Sequence, residues 1–168
     1  MKSNSQESNV NIDRPVMPVS YGVVAGAPEY VPMEWPWVVE QVSEARNYWV
    51  ATVDGRGRPQ VTPIWGVWLD DAVCFGTDAE SAKGRNIARD PEIAVHLESG
   101  DDVVIMYGIA AALTDDATLT ALVSAYDAKY SIKLAPSDAG TGLFAFRPGK
   151  VLAWRESDFP NTATRWRM

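Results

Sequence analysis

The chain has 168 residues, 46% hydrophobic and 22% charged, with a net charge of −7. That length and balance suit one globular domain able to bury a substantial core. The acidic balance argues against a nucleic-acid partner, and no apolar run reaches the roughly 18–20 residues that span a bilayer.

Residues 1–30 are rich in Ser, Asn, Val, Pro and Gly without periodicity. They are expected to form a flexible arm, disordered over its first dozen residues, with 31–168 as the folded domain. The N-terminus lacks a continuous apolar stretch of signal-peptide type, and one cysteine, Cys74, suits a reducing compartment. A cytoplasmic protein is expected.

The spacing of Trp35, Val38, Val39 and Val42 predicts a helix over 34–46, with Pro36 tolerated in its first turn. Residues 48–53 are rich in β-formers and end at the turn signal Asp54-Gly55-Arg56-Gly57. A second extended run covers 60–69, but Pro63 and Gly66 interrupt it, which predicts an edge, a bulge or a bend. A bend there frees backbone N–H and C=O groups to meet the edge of a ligand. Leu69-Asp70-Asp71-Ala72 reads as a turn, 72–77 as the third strand, and Gly76-Thr77-Asp78 as a polar corner. A short basic helix is expected over 80–89, with Thr77 or Asp78 as its structural cap.

Strands four and five are expected over 92–98 and 103–113. Thr114 reads as the cap of a helix reaching 129, with Asp115 and Asp116 in its first turn and Leu119, Leu122, Val123 and Tyr126 on its apolar face. A loop crosses 135–142. Residues 143–147 and 150–154 read as a hairpin around Pro148-Gly149, and 162–167 as extended. Several closely spaced strands beside three helices predict a mainly β protein: a closed or nearly closed antiparallel β-barrel with flanking helices.

Chemistry concentrates at one place. Thr77, Ser81 and Lys83 bring two hydroxyls and a cation to a helix N-terminus, a site suited to a phosphate group. A metal centre finds little support, because the one His and one Cys belong to no ligand pair. The doublets Asp70-Asp71, Asp101-Asp102 and Asp115-Asp116 fall where Asp is favoured structurally. His96 lies on the strand face opposite Ile93 and Val95 without a nucleophile beside it, and Cys74 reads as a small buried apolar side chain. No phosphate-loop or dinucleotide fingerprint is present.

Around these residues the sequence resembles the pyridoxamine 5'-phosphate oxidase-like superfamily of FMN-binding split β-barrels. The resemblance runs from about Tyr48 to Ala112, rests most specifically on Phe75-x-Thr77-x-x-Glu80-Ser81-x-Lys83-Gly84 followed by Asp90-Pro91, and continues more weakly through Trp154 to Trp166. It implies a homodimer with two cofactor sites at the subunit interface. Thr62, Pro63, Ile64 and Trp65 would lie beside the flavin or deazaflavin ring, and Thr77, Ser81 and Lys83 would hold the phosphate. Trp154, Arg165 and Trp166 would fall near late cofactor contacts.

Three departures separate the chain from the oxidase branch. Ala82 stands where that branch has a phosphate-binding Arg, Val103 where it has a Gln, and Thr162-Ala163-Thr164-Arg165-Trp166 lacks its substrate signature. The chain looks more like the deazaflavin branch, whose cofactor is often F420. Arg56, Arg58, Arg85 and Arg89 are candidates to meet the longer F420 tail. The function implied is an oxidoreductase that uses F420 or FMN for hydride transfer with a small organic substrate. The alternatives are a pyridoxamine 5'-phosphate oxidase-like enzyme and a non-catalytic carrier or sensor of flavin, F420 or haem.

Overall fold

The computed structural model describes residues 10–21, 29–132 and 141–168. Residues 1–9 and 22–28 of the expected arm, and most of the expected 135–142 loop, lie outside them. Within the segment read as an arm, Asn11–Asp13 forms β1. Then follow α1 (Trp35–Glu44), β2 (Tyr48–Val53), β3 (Pro59–Ile64), β4 (Gly66–Leu69) and β5 (Ala72–Asp78). The chain continues through α2 (Ala82–Arg89), β6 (Glu92–His96), β7 (Asp102–Ala112), α3 (Asp116–Tyr130), β8 (Thr141–Arg155) and β9 (Thr164–Arg167). Among the described residues no helix is long and apolar enough to cross a membrane.

All strand pairs are antiparallel, and β2, β6, β7, β8, β5 and β4 are neighbours in that order. β3 pairs on the other side of β2 and runs into β4 through Trp65 alone. The interrupted run 60–69 is therefore one strand bent between two ladders, and the bend completes the barrel. Alternation sends Val50, Val73, Phe75, Val95, Val104, Met106, Phe146 and Val151 into one interior, where α1 adds Val38 and Val42. β5 is buried on both faces: Ala72 and Cys74 meet Leu122 and Tyr126 of α3 on its far side. The turn between β4 and β5 puts Asp70 and Asp71 at φ 48° and 58°, the conformation a two-residue hairpin turn requires.

Three local expectations are corrected. Pro148-Gly149 does not turn the chain; Thr141–Arg155 is one strand. The ladder to β7 shifts register there, since Tyr107 faces Lys150 while Gly108 faces Pro148. Gly149 is the extra residue of a bulge, and Gly108 is needed opposite, because a Cβ on it would lie 2.0 Å from the Arg147 carbonyl oxygen. The cap of α3 is Asp115, which accepts from the Thr118 N–H at 2.7 Å, not Thr114. The cap of α2 is Ser81, accepting from the Gly84 N–H at 3.0 Å, so the helix starts two residues later than expected.

Candidate functional site

The corner between β5 and α2 faces the β3–β4 bend across a cleft of about 400 Å³. One wall is Pro63, Ile64 and Trp65; Thr77, Asp78 and Lys83 form the polar end, and Tyr126 of α3 closes the side. The structure thus brings Pro63, Ile64, Trp65, Thr77 and Lys83 to one cleft, with Thr62 and Ser81 in hydrogen-bond contact with Lys83 and Thr77. It adds Tyr126, whose helical spacing marked it only as a core residue.

At the polar end the Thr77 and Ser81 hydroxyls lie 3.1 Å apart, and Lys83 Nζ donates to Thr62 Oγ1 at 3.4 Å. Partial burial pushes the Lys83 amine below its ordinary value, a cost that a nearby anion would offset. The N–H groups of Ala82 and Lys83 have no hydrogen-bond partner among the described residues and lie in the first turn of α2, at the positive end of its dipole. Gly84 lets the helix approach: a Cβ there would stand 2.3 Å from the Asp78 carbonyl oxygen. A phosphate fits this donor set.

At the apolar end Trp65 is 42% exposed, although its indole stacks on Tyr130 with centroids 4.9 Å apart and planes 8° from parallel. The Tyr126 hydroxyl donates to the Trp65 carbonyl at 2.7 Å. Burial raises the Tyr126 phenol well above its ordinary value, so it stays protonated and able to donate. A flat ring fits this wall, and the two ends together fit a ring joined to a phosphate.

Trp154, Arg165 and Trp166 do not line this cleft. Trp166 is fully buried in the barrel core, 5.7 Å from Trp35. The Arg165 guanidinium is bound bidentately by Asp13 of β1 at 2.6 and 2.7 Å. Trp154 donates its indole N–H to Glu156 and packs on Phe159. Arg58 pairs with Asp54, Arg85 reaches the Glu80 carbonyl and Arg89 the Val53 carbonyl. Three of the four arginines considered for a cofactor tail are thus engaged within the chain.

His96 lies flat against Trp49 on the outer face of the sheet, with Nδ1 2.7 Å from the Leu97 carbonyl oxygen. Cys74 is buried, and desolvation pushes its thiol up to about 11, so it remains a neutral packing group. No group of three His, Cys, Asp or Glu residues able to hold a metal occurs among the described residues. The outer faces of β2, β3 and β7 carry Val53, Val61, Tyr107 and Ile109, which are 37–50% exposed. This apolar face continues to Pro63 at the cleft.

A barrel joined through a bent strand, with a polar corner facing the bend, has the form of a split barrel. Residues 36–155 match the family described as pyridoxamine 5'-phosphate oxidase, and the chain belongs to that family. No curated protein matches it in sequence. Among solved structures, a conserved hypothetical protein of Mycobacterium tuberculosis is similar at 22% identity and a TM-score of 0.64, over 76% of this chain and 88% of that one. An F420 reductase is similar at 25% identity and a TM-score of 0.54, over 67% of this chain and 94% of its own. HutZ, a haem-storage protein of Vibrio cholerae, is 17% identical with a TM-score of 0.56, over 68% and 89% of the two chains.

Proposed function

We propose that this protein is a homodimeric oxidoreductase that binds F420 or FMN in the cleft between α2 and the β3–β4 bend. Its substrate would be a small organic molecule. The observation that carries this reading is the pairing, in one cleft, of a phosphate-type donor set at Thr77, Ser81 and Lys83 with a flat wall at Pro63, Ile64 and Trp65. The bound cofactor supplies the hydride chemistry, which accounts for the lack of an obvious acid–base pair.

The chain's own residues bind and orient. Lys83 pairs with the phosphate and Thr77 and Ser81 donate their hydroxyl protons, while the first-turn N–H groups of α2 add their partial charge. Thr62 keeps the Lys83 amine at the polar end. The backbone from Thr62 to Trp65 would lie at the ring edge, although the bend leaves fewer free groups than expected, since the Trp65 carbonyl already accepts from Tyr126. The apolar outer face supports the homodimer: a second copy removes Val61, Tyr107 and Ile109 from water beside the cleft.

The similarity to an F420 reductase, and the Ala82 departure from the oxidase branch, favour F420. The similarity to a haem-storage protein favours a second reading, a carrier without turnover. Titrating the purified protein separately with F420, FMN and haemin, by absorbance and fluorescence, tests all three. F420 or FMN is expected to bind. Lys83→Ala is expected to weaken it about tenfold or more, since a charge-assisted bond contributes about 1.5–3 kcal/mol. Full affinity in that variant overturns the phosphate assignment, and haemin binding alone overturns the oxidoreductase.

A further inference from the structure

Trp65 stands between the ladders of β3 and β4, yet the peptide unit that joins it to Gly66 is held at both ends by α3. The Tyr126 hydroxyl donates to the Trp65 carbonyl at 2.7 Å, and the Gly66 N–H donates to the Tyr130 hydroxyl at 3.0 Å. Tyr130 Oη also lies 2.7 Å from the Gly66 and Arg46 carbonyl oxygens, with one proton to serve the two. Lys129 Nζ donates to the Gly66 carbonyl at 3.0 Å, to the Tyr48 hydroxyl at 3.0 Å and to the Ser43 carbonyl at 3.2 Å. These side chains come from positions three and four apart, one side of the helix. The Tyr130 ring, stacked on Trp65, fixes the indole as well as the backbone beneath it.

We propose that α3 is the positioning element of the cleft, with Tyr126 and Tyr130 holding the Trp65–Gly66 peptide and the Trp65 indole where a flavin-type ring meets them. This rests on the cofactor reading given above. A wall left to its own strand would have to give up rotamer and backbone freedom when a ring lands on it. Fixing the wall beforehand removes that cost, worth about twofold to tenfold in affinity. Glycine suits position 66 on steric grounds: a Cβ there would meet the Cys74 carbonyl oxygen at 3.1 Å and the Tyr48 ring at 3.3 Å.

The test uses Tyr130→Phe, which keeps the stacked ring and deletes the hydroxyl, and Tyr126→Phe, which frees the other end of the same peptide. Two quantities are measured in each variant. The first is amide exchange at Gly66 in the ligand-free protein, resolved by NMR. The second is the dissociation constant for whichever of FMN and F420 the unmodified protein binds, and for its phosphate-free riboside.

Exchange at Gly66 is expected to quicken at least tenfold in Tyr130→Phe. Cofactor and riboside are expected to weaken by the same factor, twofold to tenfold, because the loss lies at the ring end. Should Tyr130→Phe fail to fold, Tyr126→Phe is expected to show the same equal weakening. Unchanged Gly66 exchange, or unchanged riboside affinity, overturns the positioning role. So does weakening of the phosphorylated cofactor alone. If the unmodified protein binds neither FMN nor F420, the cofactor reading falls and the positioning role with it; the exchange result still reports whether α3 holds the bend.

Discussion

Gly84 decides how closely α2 can approach the end of β5. With the Asp78 carbonyl oxygen 2.3 Å and the Ala79 carbonyl oxygen 2.8 Å from where a Cβ would stand, both of them backbone atoms, nothing flexible can yield. Gly84→Ala is expected to lower stability by about 1–3 kcal/mol, the usual cost of overpacking, and to weaken cofactor binding by moving the corner. Thermal melts and cofactor titration check the two effects. Ser81 separates them. Asp caps a helix as well as Ser does, so Ser81→Asp should leave the melting temperature nearly unchanged, whereas its charge repels a phosphate. Loss of the phosphorylated cofactor with retention of its riboside is the expected result. At this scale the sequence was informative about residue types but not about their division of labour. Thr77, Ser81 and Lys83 do converge, yet Ser81 also serves as the cap, a choice among neighbouring cap-forming residues that local composition leaves open.

Among the elements, β1 depends most visibly on charge. Asp13 binds Arg165 and Arg167 of β9, and the Arg165 hydrogen bond first of all holds its carboxyl down to about 2, against an ordinary 3.8. A carboxyl lowered on folding stabilises the fold fully above its unfolded value and loses that contribution as the pH falls through the folded one. The β1–β9 contact should therefore weaken as the pH falls from 3.8 towards 2. Asp13→Asn should flatten the curve of melting temperature against pH in that window, modestly, because the pair is open to solvent. Long-range pairing of this kind leaves no local mark, and Asn11–Asp13 was unreadable in a segment without periodicity. β8 shows the opposite failure. Pro148-Gly149 is a strong turn signal, but Pro148 and Gly108 can face each other across a bulge, and tertiary pairing with β7 overrode the local preference.

At the scale of the whole molecule, the barrel was legible because β-formers and turn residues alternate so closely, and the bend because Pro63 and Gly66 break an otherwise extended run. The placement of α3 was not: its apolar face was readable, but neither the far side of β5 on which Leu122 and Tyr126 pack nor the backbone groups its tyrosines hold leave a local mark. The outer apolar face predicts assembly. Tyr107→Glu sets a charge on a surface that is already 37% exposed in one protomer, so the fold should survive. Sedimentation is expected to show a dimer for the unmodified protein and a monomer for the variant, with cofactor affinity reduced as well.

The bend has one more consequence. A barrel closed only by hydrogen bonds has a seam, a last ladder along which it can unzip. Here the circuit is completed by a covalent joint: β3 belongs to β2, β4 belongs to β5, and the chain between them never leaves the wall. A pull on either ladder is carried through Trp65 to the other. The cleft is therefore built where the chain itself, rather than a ladder, carries the wall from one side to the other.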